Sequence, residues 1–138
     1  MTYELVSERK VRYPTKIGDP GEAYDVLKRY AKSKQEQFIV LTLSGAHEVI
    51  SVKLVSIGIL NRTLVHPREV FKKAITDSAA AIILAHNHPS GQLEASDEDR
   101  QITKRLRDAG EIIGIPVLDH IIFTNKSFIS LKSVCNLL

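Results

Sequence analysis

His86 and His88 stand two residues apart at the end of the apolar run Ala80 to Ala85, and Asp99 follows in the same stretch of chain. The run reads as a buried strand. Residues two apart on an extended chain point the same way, so both imidazoles can face one point just past the strand's end. Two imidazoles and one carboxylate make a catalytic zinc set whose fourth position is left for water. Zinc lowers the pKa of that water toward about 7 and polarises a carbonyl as a Lewis acid. Neutral His86 and His88 with anionic Asp99 leave the site net positive, which favours hydroxide. This is the chemistry of a hydrolase. By themselves the pieces also have plain readings. A His-x-His pair in a loop is an ordinary surface feature, and Ser96-Asp97-Glu98-Asp99 reads as a helix start, with Ser96 as N-cap and an acid at the third helical position. The two readings are compatible. The cap puts Asp99 in the first helical turn, where the helix N-terminus itself favours anions, so a cation there needs specific ligands. Pro89-Ser90-Gly91 supplies the turn that takes the chain from strand to helix.

The elements that must position these residues follow a mixed order. Asp19-Pro20-Gly21-Glu22 reads as N-cap, proline at the first helical position and a reciprocal acid, opening a helix with Ala23, Leu27, Tyr30 and Ala31 along one side. Two strands are expected next, Phe38 to Leu43 and about Val49 to Ser56, joined by a Ser44-Gly45 turn. Asn61 to Val65 reads as a short strand. Pro67 opens a second helix through about Thr76, with Val70, Phe71, Ala74 and Ile75 as its buried side. After the Ala80 to Ala85 strand and the histidine loop, a third helix runs from Asp97 to about Ile112 and stops before Gly114. Ile115 to Leu118, Ile121 to Phe123 and Phe128 to Leu131 read as strands, the last two linked by Thr124-Asn125-Lys126-Ser127. The expectation is an α/β domain, a mixed sheet with about three helices.

The spacing His86-x-His88-Pro89 followed by Ser96-x-x-Asp99 resembles the JAMM signature of the JAB/MPN-type metalloproteases. Val65-His66-Pro67-Arg68-Glu69-Val70-Phe71, His86-Asn87-His88-Pro89-Ser90-Gly91 and Leu118-Asp119-His120-Ile121-Ile122 narrow it, since in this order they resemble the bacterial RadC family. The match runs from about Gln35 to Leu131. It implies a JAB/MPN (cytidine-deaminase-like) architecture, one Zn2+ per chain on His86, His88 and Asp99, and an amide or isopeptide bond as the target. It also implies a glutamate upstream of the histidines, leading into the first core strand. Glu36, before Gln37-Phe38-Ile39-Val40-Leu41-Thr42-Leu43, matches that place; without the resemblance it reads as a solvated helix-end carboxylate. Glu48 competes but lies at the opposite end of the same strand. Glu36 would take the water's proton and pass it to the leaving amine, which needs reach to the water rather than to the metal. Ser96 matches a serine that in similar enzymes donates to the tetrahedral oxyanion, worth roughly 3 kcal/mol. Cap and oxyanion are expected to compete for its one hydroxyl. Ala95 departs from the proline common before that serine, which leaves the approach less restricted. The alternative is a metal-binding JAB domain that turns nothing over and holds a protein or nucleic-acid partner, a role associated with DNA repair. Longer RadC proteins carry an N-terminal helical region suggestive of DNA binding, for which this chain is expected to have no room.

At 138 residues the chain can bury a core and is expected to form a single domain over 1–138, with its core at about 20–132. No run approaches the 18 to 20 apolar residues of a membrane helix, and the start carries acids instead of a signal-peptide h-region. One cysteine, Cys135, excludes an internal disulfide framework and fits a reducing cytoplasm. The net charge of +3 is a mild basic excess. Its densest stretches, Lys28-Arg29-Tyr30-Ala31-Lys32-Ser33-Lys34 and Lys104-Arg105-Leu106-Arg107, fall on expected helices and read first as solvated faces, leaving a nucleic-acid partner open. A protein or peptide substrate is expected; oligomeric state is not legible. His66 reads as a helix cap, Arg68 and Glu69 as pairing with each other or with nearby elements, and His47 as an exposed turn residue. His120 is not expected as a fourth ligand. With Asp119 it reads as support for a ligand or as lining of the substrate cleft.

Overall fold

The computed structural model describes residues 8–10, 15–57 and 65–138. Its elements are β1 (Glu8–Lys10), α1 (Pro20–Leu27) continued by a 3-10 turn (Lys28–Lys32), β2 (Gln37–Leu43), β3 (Val49–Ile57), α2 (Pro67–Thr76), β4 (Ala81–Asn87), α3 (Asp97–Ile113), β5 (Val117–Phe123), β6 (Phe128–Ser130) and α4 (Leu131–Cys135). Among the described residues, six strands form one sheet in the order β1-β3-β2-β4-β5-β6. β4 and β5 are parallel and joined through α3, whereas the other neighbouring pairs are antiparallel. This is the mixed α/β sheet expected from the sequence.

The central strands read as unbroken apolar runs because both sheet faces are covered. Phe38, Val40, Ile82 and Leu84 pack on one face with Val70, Phe71 and Ala74 of α2 and with Ile102 and Leu106 of α3. Their chain neighbours Ile39, Leu41, Ile83 and Ala85 point to the other face, onto Ala23 and Leu27 of α1. Local chemistry fixes the helix ends. Asp19 accepts from the Glu22 N–H at 2.9 Å, and Glu22 accepts from the Gly18 N–H at 3.0 Å. α3 ends at Gly114, which takes the left-handed conformation with φ 86°.

Several boundaries differ from the sequence reading, each for a visible reason. β4 runs on through Asn87 instead of stopping at Ala85, because His86 pairs with Phe38 on one side and Asn87 with Phe123 on the other. The stretches Ile115 to Leu118 and Ile121 to Phe123 belong to one strand, β5, which starts at Val117. Asp119 stays inside that strand because its carboxylate is satisfied: it accepts from the His120 N–H at 2.7 Å, the Ser130 hydroxyl at 2.6 Å and the Lys132 N–H at 3.2 Å. The last strand ends at Ser130, which caps a further short helix, α4, so four α-helices are present among the described residues instead of about three. Ile75 is 59% exposed, not part of the buried side of α2. The inward stripe runs through Val70 and Ala74 to Asp77, whose carboxylate accepts from the Thr42 hydroxyl at 2.7 Å, and this fixes the roll of the helix. Most of the strand expected at Asn61 to Val65 lies outside the described residues. β1 had no counterpart in the sequence reading.

Candidate metal centre

The carboxyl end of β4 faces the start of α3, and parallel strand ends of this kind are where α/β sheets place their ligand sites. His86 is the penultimate residue of β4 and His88 follows the strand; their rings meet edge-on with centroids 4.6 Å apart. Asp99 sits at the third position of α3, held by a reciprocal cap. Its N–H donates to Ser96 Oγ at 3.0 Å, and its Oδ2 accepts from the Ser96 N–H at 2.8 Å. The cap therefore fixes the carboxylate as well as the helix end. Asp99 is 0% exposed, and its oxygens lie 3.1 Å from His86 Nδ1 and 3.6 Å from His88 Nε2. One ligand atom from each of the three residues falls within 4.8 Å of the others.

The tautomers can be read from the partners. His88 Nδ1 lies 2.9 Å from the Gln92 carbonyl oxygen, which only accepts, so Nδ1 carries hydrogen and the neutral ring's lone pair is on Nε2. His86 Nδ1 faces a carboxylate, and its Nε2 is buried without a hydrogen-bond partner. Electrostatics points the same way. Burial alone would raise the pKa of Asp99, but hydrogen bonds from His86, His88 and the Ser96 amide outweigh it and hold the carboxyl well below the usual range. The hydrogen bond with Asp99 raises His88 above its ordinary value against the opposing effect of burial, and the Gln92 carbonyl adds to the rise. A pocket that keeps its acid ionised and attracts a proton to its imidazole favours positive charge. An orphaned buried nitrogen, a buried carboxylate and a cation-favouring field together fit a divalent ion.

Glu36 precedes β2, and the pairing of Phe38 with His86 carries it across the sheet to the same spot. Its Oε2 lies 3.5 Å from His86 Nε2, and the residue is part-exposed. Glu36, His86, His88, Ser96 and Asp99 all border one cleft of about 350 Å3, whose walls also include Ser90, Gln92, Glu94 and Glu98. All five residues singled out in the sequence are thus brought together. Glu48 lies beyond the far end of β2, where its backbone pairs with that of Lys16, and it does not border the cleft. The expected competition at Ser96 does not arise, because the cap uses a lone pair of Oγ and leaves the O–H free to donate.

Asp119 and His120 part ways. His120 lies on the α3 side of the sheet, its ring edge-on to Phe38 at 5.7 Å. Its Nδ1 is 2.5 Å from Thr103 Oγ1, and that hydroxyl donates to the Asp99 carbonyl at 2.6 Å, so His120 supports the first turns of α3 from beneath. Complete burial pushes its pKa down to about 3. It does not border the cleft. Asp119 points to the opposite face, where it borders a separate cavity of about 340 Å3. His66 occupies the N-cap position of α2 without a side-chain cap bond, and Arg68, Glu69 and His47 are exposed. The sequence reading gave no role to Asn87, between the two histidines. It is buried, and its side-chain amide bonds the chain on both sides of Glu36. No local sequence signal marks this, because the contact arises from the pairing of β2 with β4.

Residues 17–136 match the family described as RadC-like JAB domain. Curated relatives named UPF0758 protein include one from Methanospirillum hungatei, 56% identical over 100 residues that make up 72% of this chain and 44% of the relative. Another, from Rubrobacter xylanophilus, is 49% identical over 117 residues, 84% of this chain and 51% of the relative. A third, from Geobacillus thermodenitrificans, is 48% identical over 121 residues, 88% of this chain and 53% of the relative. The chain spans about half the length of these relatives.

Proposed function

The chain belongs to the family of RadC-like JAB domains, and from that premise we propose that it is a zinc-dependent hydrolase of an amide or isopeptide bond in a protein or peptide. The observation that carries this reading is the meeting of Glu36 with the His86, His88 and Asp99 group in one open cleft. A module that only binds has no use for a carboxylate held beside a ligand nitrogen and open to solvent.

His86, His88 and Asp99 would hold the ion, His88 through the Nε2 that the Gln92 contact leaves unprotonated. When bound, it supplies Lewis acidity, which acidifies water at neutral pH and polarises a carbonyl. The Glu36 carboxylate takes a proton from the attacking water as the C–O bond forms. It then gives that proton to the amine nitrogen as the C–N bond breaks, so the same carboxylate serves as base and acid. The Ser96 O–H donates to the carbonyl oxygen as negative charge collects there. Gln92 keeps His88 in the tautomer that presents Nε2.

A screen of the zinc-loaded protein against peptide and isopeptide libraries, run beside Glu36→Gln, tests the reading. The amide cannot accept a proton at neutral pH, so Glu36→Gln should keep zinc and fold while losing cleavage. Cleavage that persists in Glu36→Gln, or no cleavage by the intact protein, contradicts it.

A further inference from the structure

We propose that Asn87 is a positioning residue that sets the direction of the Glu36 side chain, an inference that rests on the hydrolase reading for its catalytic consequence. The antiparallel ladder between β2 and β4 ends at Phe38 and His86. Beyond that rung the backbones no longer pair, and the side chain of Asn87 bridges the gap. Its Oδ1 accepts from the Gln37 N–H at 2.5 Å, and its Nδ2 donates to the Gln35 carbonyl at 3.1 Å.

The two backbone groups it takes belong to the two peptide planes that flank Glu36. The Gln35 carbonyl lies in the plane before Glu36 and the Gln37 N–H in the plane after it. Rotation between those planes is what φ and ψ of Glu36 describe, and the peptides themselves are rigid. Holding both planes with one planar amide fixes both angles, and with them the direction of the Cα–Cβ bond. Asn87 is also covalently placed between His86 and His88, so the base and two ligands share one frame. Positioning of this kind matters because a displacement of about 1 Å can cost roughly a hundredfold in rate.

The residue type is specific. The bridge needs one acceptor and one donor side by side at short reach, which is an asparagine amide. Aspartate has the same shape but would set a carboxylate oxygen against the Gln35 carbonyl, and alanine would leave two backbone groups to water or unpaired. Asn87 is 1% exposed, so neither loss is easily made good by solvent.

The test uses the zinc-loaded chain with Asn87→Ala and the isosteric Asn87→Asp, read by amide hydrogen exchange, zinc content after dialysis and steady-state cleavage of whichever library peptide the intact protein cuts. We expect the Gln37 amide to exchange at least tenfold faster in Asn87→Ala, which loses the acceptor, while zinc stays at one per chain in both variants. The kcat should fall tenfold or more with KM little changed in both variants, because the base is misdirected while the metal ligands stay in place. Unchanged protection of the Gln37 amide in Asn87→Ala overturns the proposal, as does loss of zinc in Asn87→Asp or a kcat that neither variant lowers. Failure of the intact protein to cleave any peptide would instead count against the hydrolase reading, and the exchange and zinc measurements would still decide whether Asn87 holds the backbone around Glu36.

Discussion

On the proposed reading Ser96 meets two demands with different parts of one hydroxyl: the oxygen accepts from the Asp99 N–H at 3.0 Å, which leaves the hydrogen to donate into the cleft. Removing the group should therefore show both losses at once. Ser96→Ala is expected to cost about 1 kcal/mol of stability as a lost cap and roughly a hundredfold in turnover at little-changed KM. Ser96→Asp, which can accept as a cap but has no hydrogen to give at neutral pH, should recover the melting temperature and leave turnover low. Thermal melts and kinetics on zinc-loaded variants measure this, and recovery of both properties in Ser96→Asp would show that donation is not needed. Residues whose roles rest on near neighbours were the legible ones. The Ser96 to Asp99 cap and the two-residue histidine spacing are local. Glu36 and Asn87 meet only through the pairing of β2 with β4, and nothing in their own neighbourhoods announces that. Only the family resemblance singled out Glu36, and Asn87 escaped notice.

Among the elements, α3 is anchored at both ends, by its cap and by the left-handed Gly114, and it is seated on α2 at Gly110. A Cβ added to Gly110 would meet the Ile115 carbonyl oxygen at 2.6 Å and the Phe71 ring at 3.3 Å. Helix propensity alone would make Gly110→Ala favourable by about 1 kcal/mol. The clash is with backbone and with a buried ring, so the close approach should win, and we expect net destabilisation of about 1–3 kcal/mol by chemical denaturation. Stabilisation in Gly110→Ala would mean the two helices are not seated so closely. Elements with long apolar runs or caps were legible: α2 keeps its expected bounds of Pro67 and Thr76, and α3 runs one residue beyond expectation. Elements defined by pairing or by satisfied polar groups were not. Asp119 and His120 interrupt the apolar pattern of β5, yet the strand continues through them because their polarity is answered by Ser130, Lys132 and Thr103, which lie elsewhere in the sequence. α4 is five residues long, too short for periodicity to reveal.

At the scale of the whole molecule, a sheet covered on both faces carries the cleft at the carboxyl end of β4, with the His86 and His88 pair supplied by the strand end and Asp99 by the helix that follows. Among the described residues, no helix is long and apolar enough to cross a membrane. The burial of Asp99 makes sense in this frame. A fully buried carboxylate is costly unless compensated; two imidazoles and a cap N–H compensate it here, and the proposed cation would add to them. Every catalytic step assigned to Glu36 and Ser96 depends on that cation. Its presence is tested most directly by elemental analysis of the purified protein after exhaustive dialysis, beside His88→Ala and Asp99→Asn, with circular dichroism to show that each variant is folded. We predict about one zinc per chain in the intact protein and strong loss in both folded variants, since two protein ligands compete poorly with water. Zinc content unchanged by both substitutions would contradict the metal centre and the function built on it.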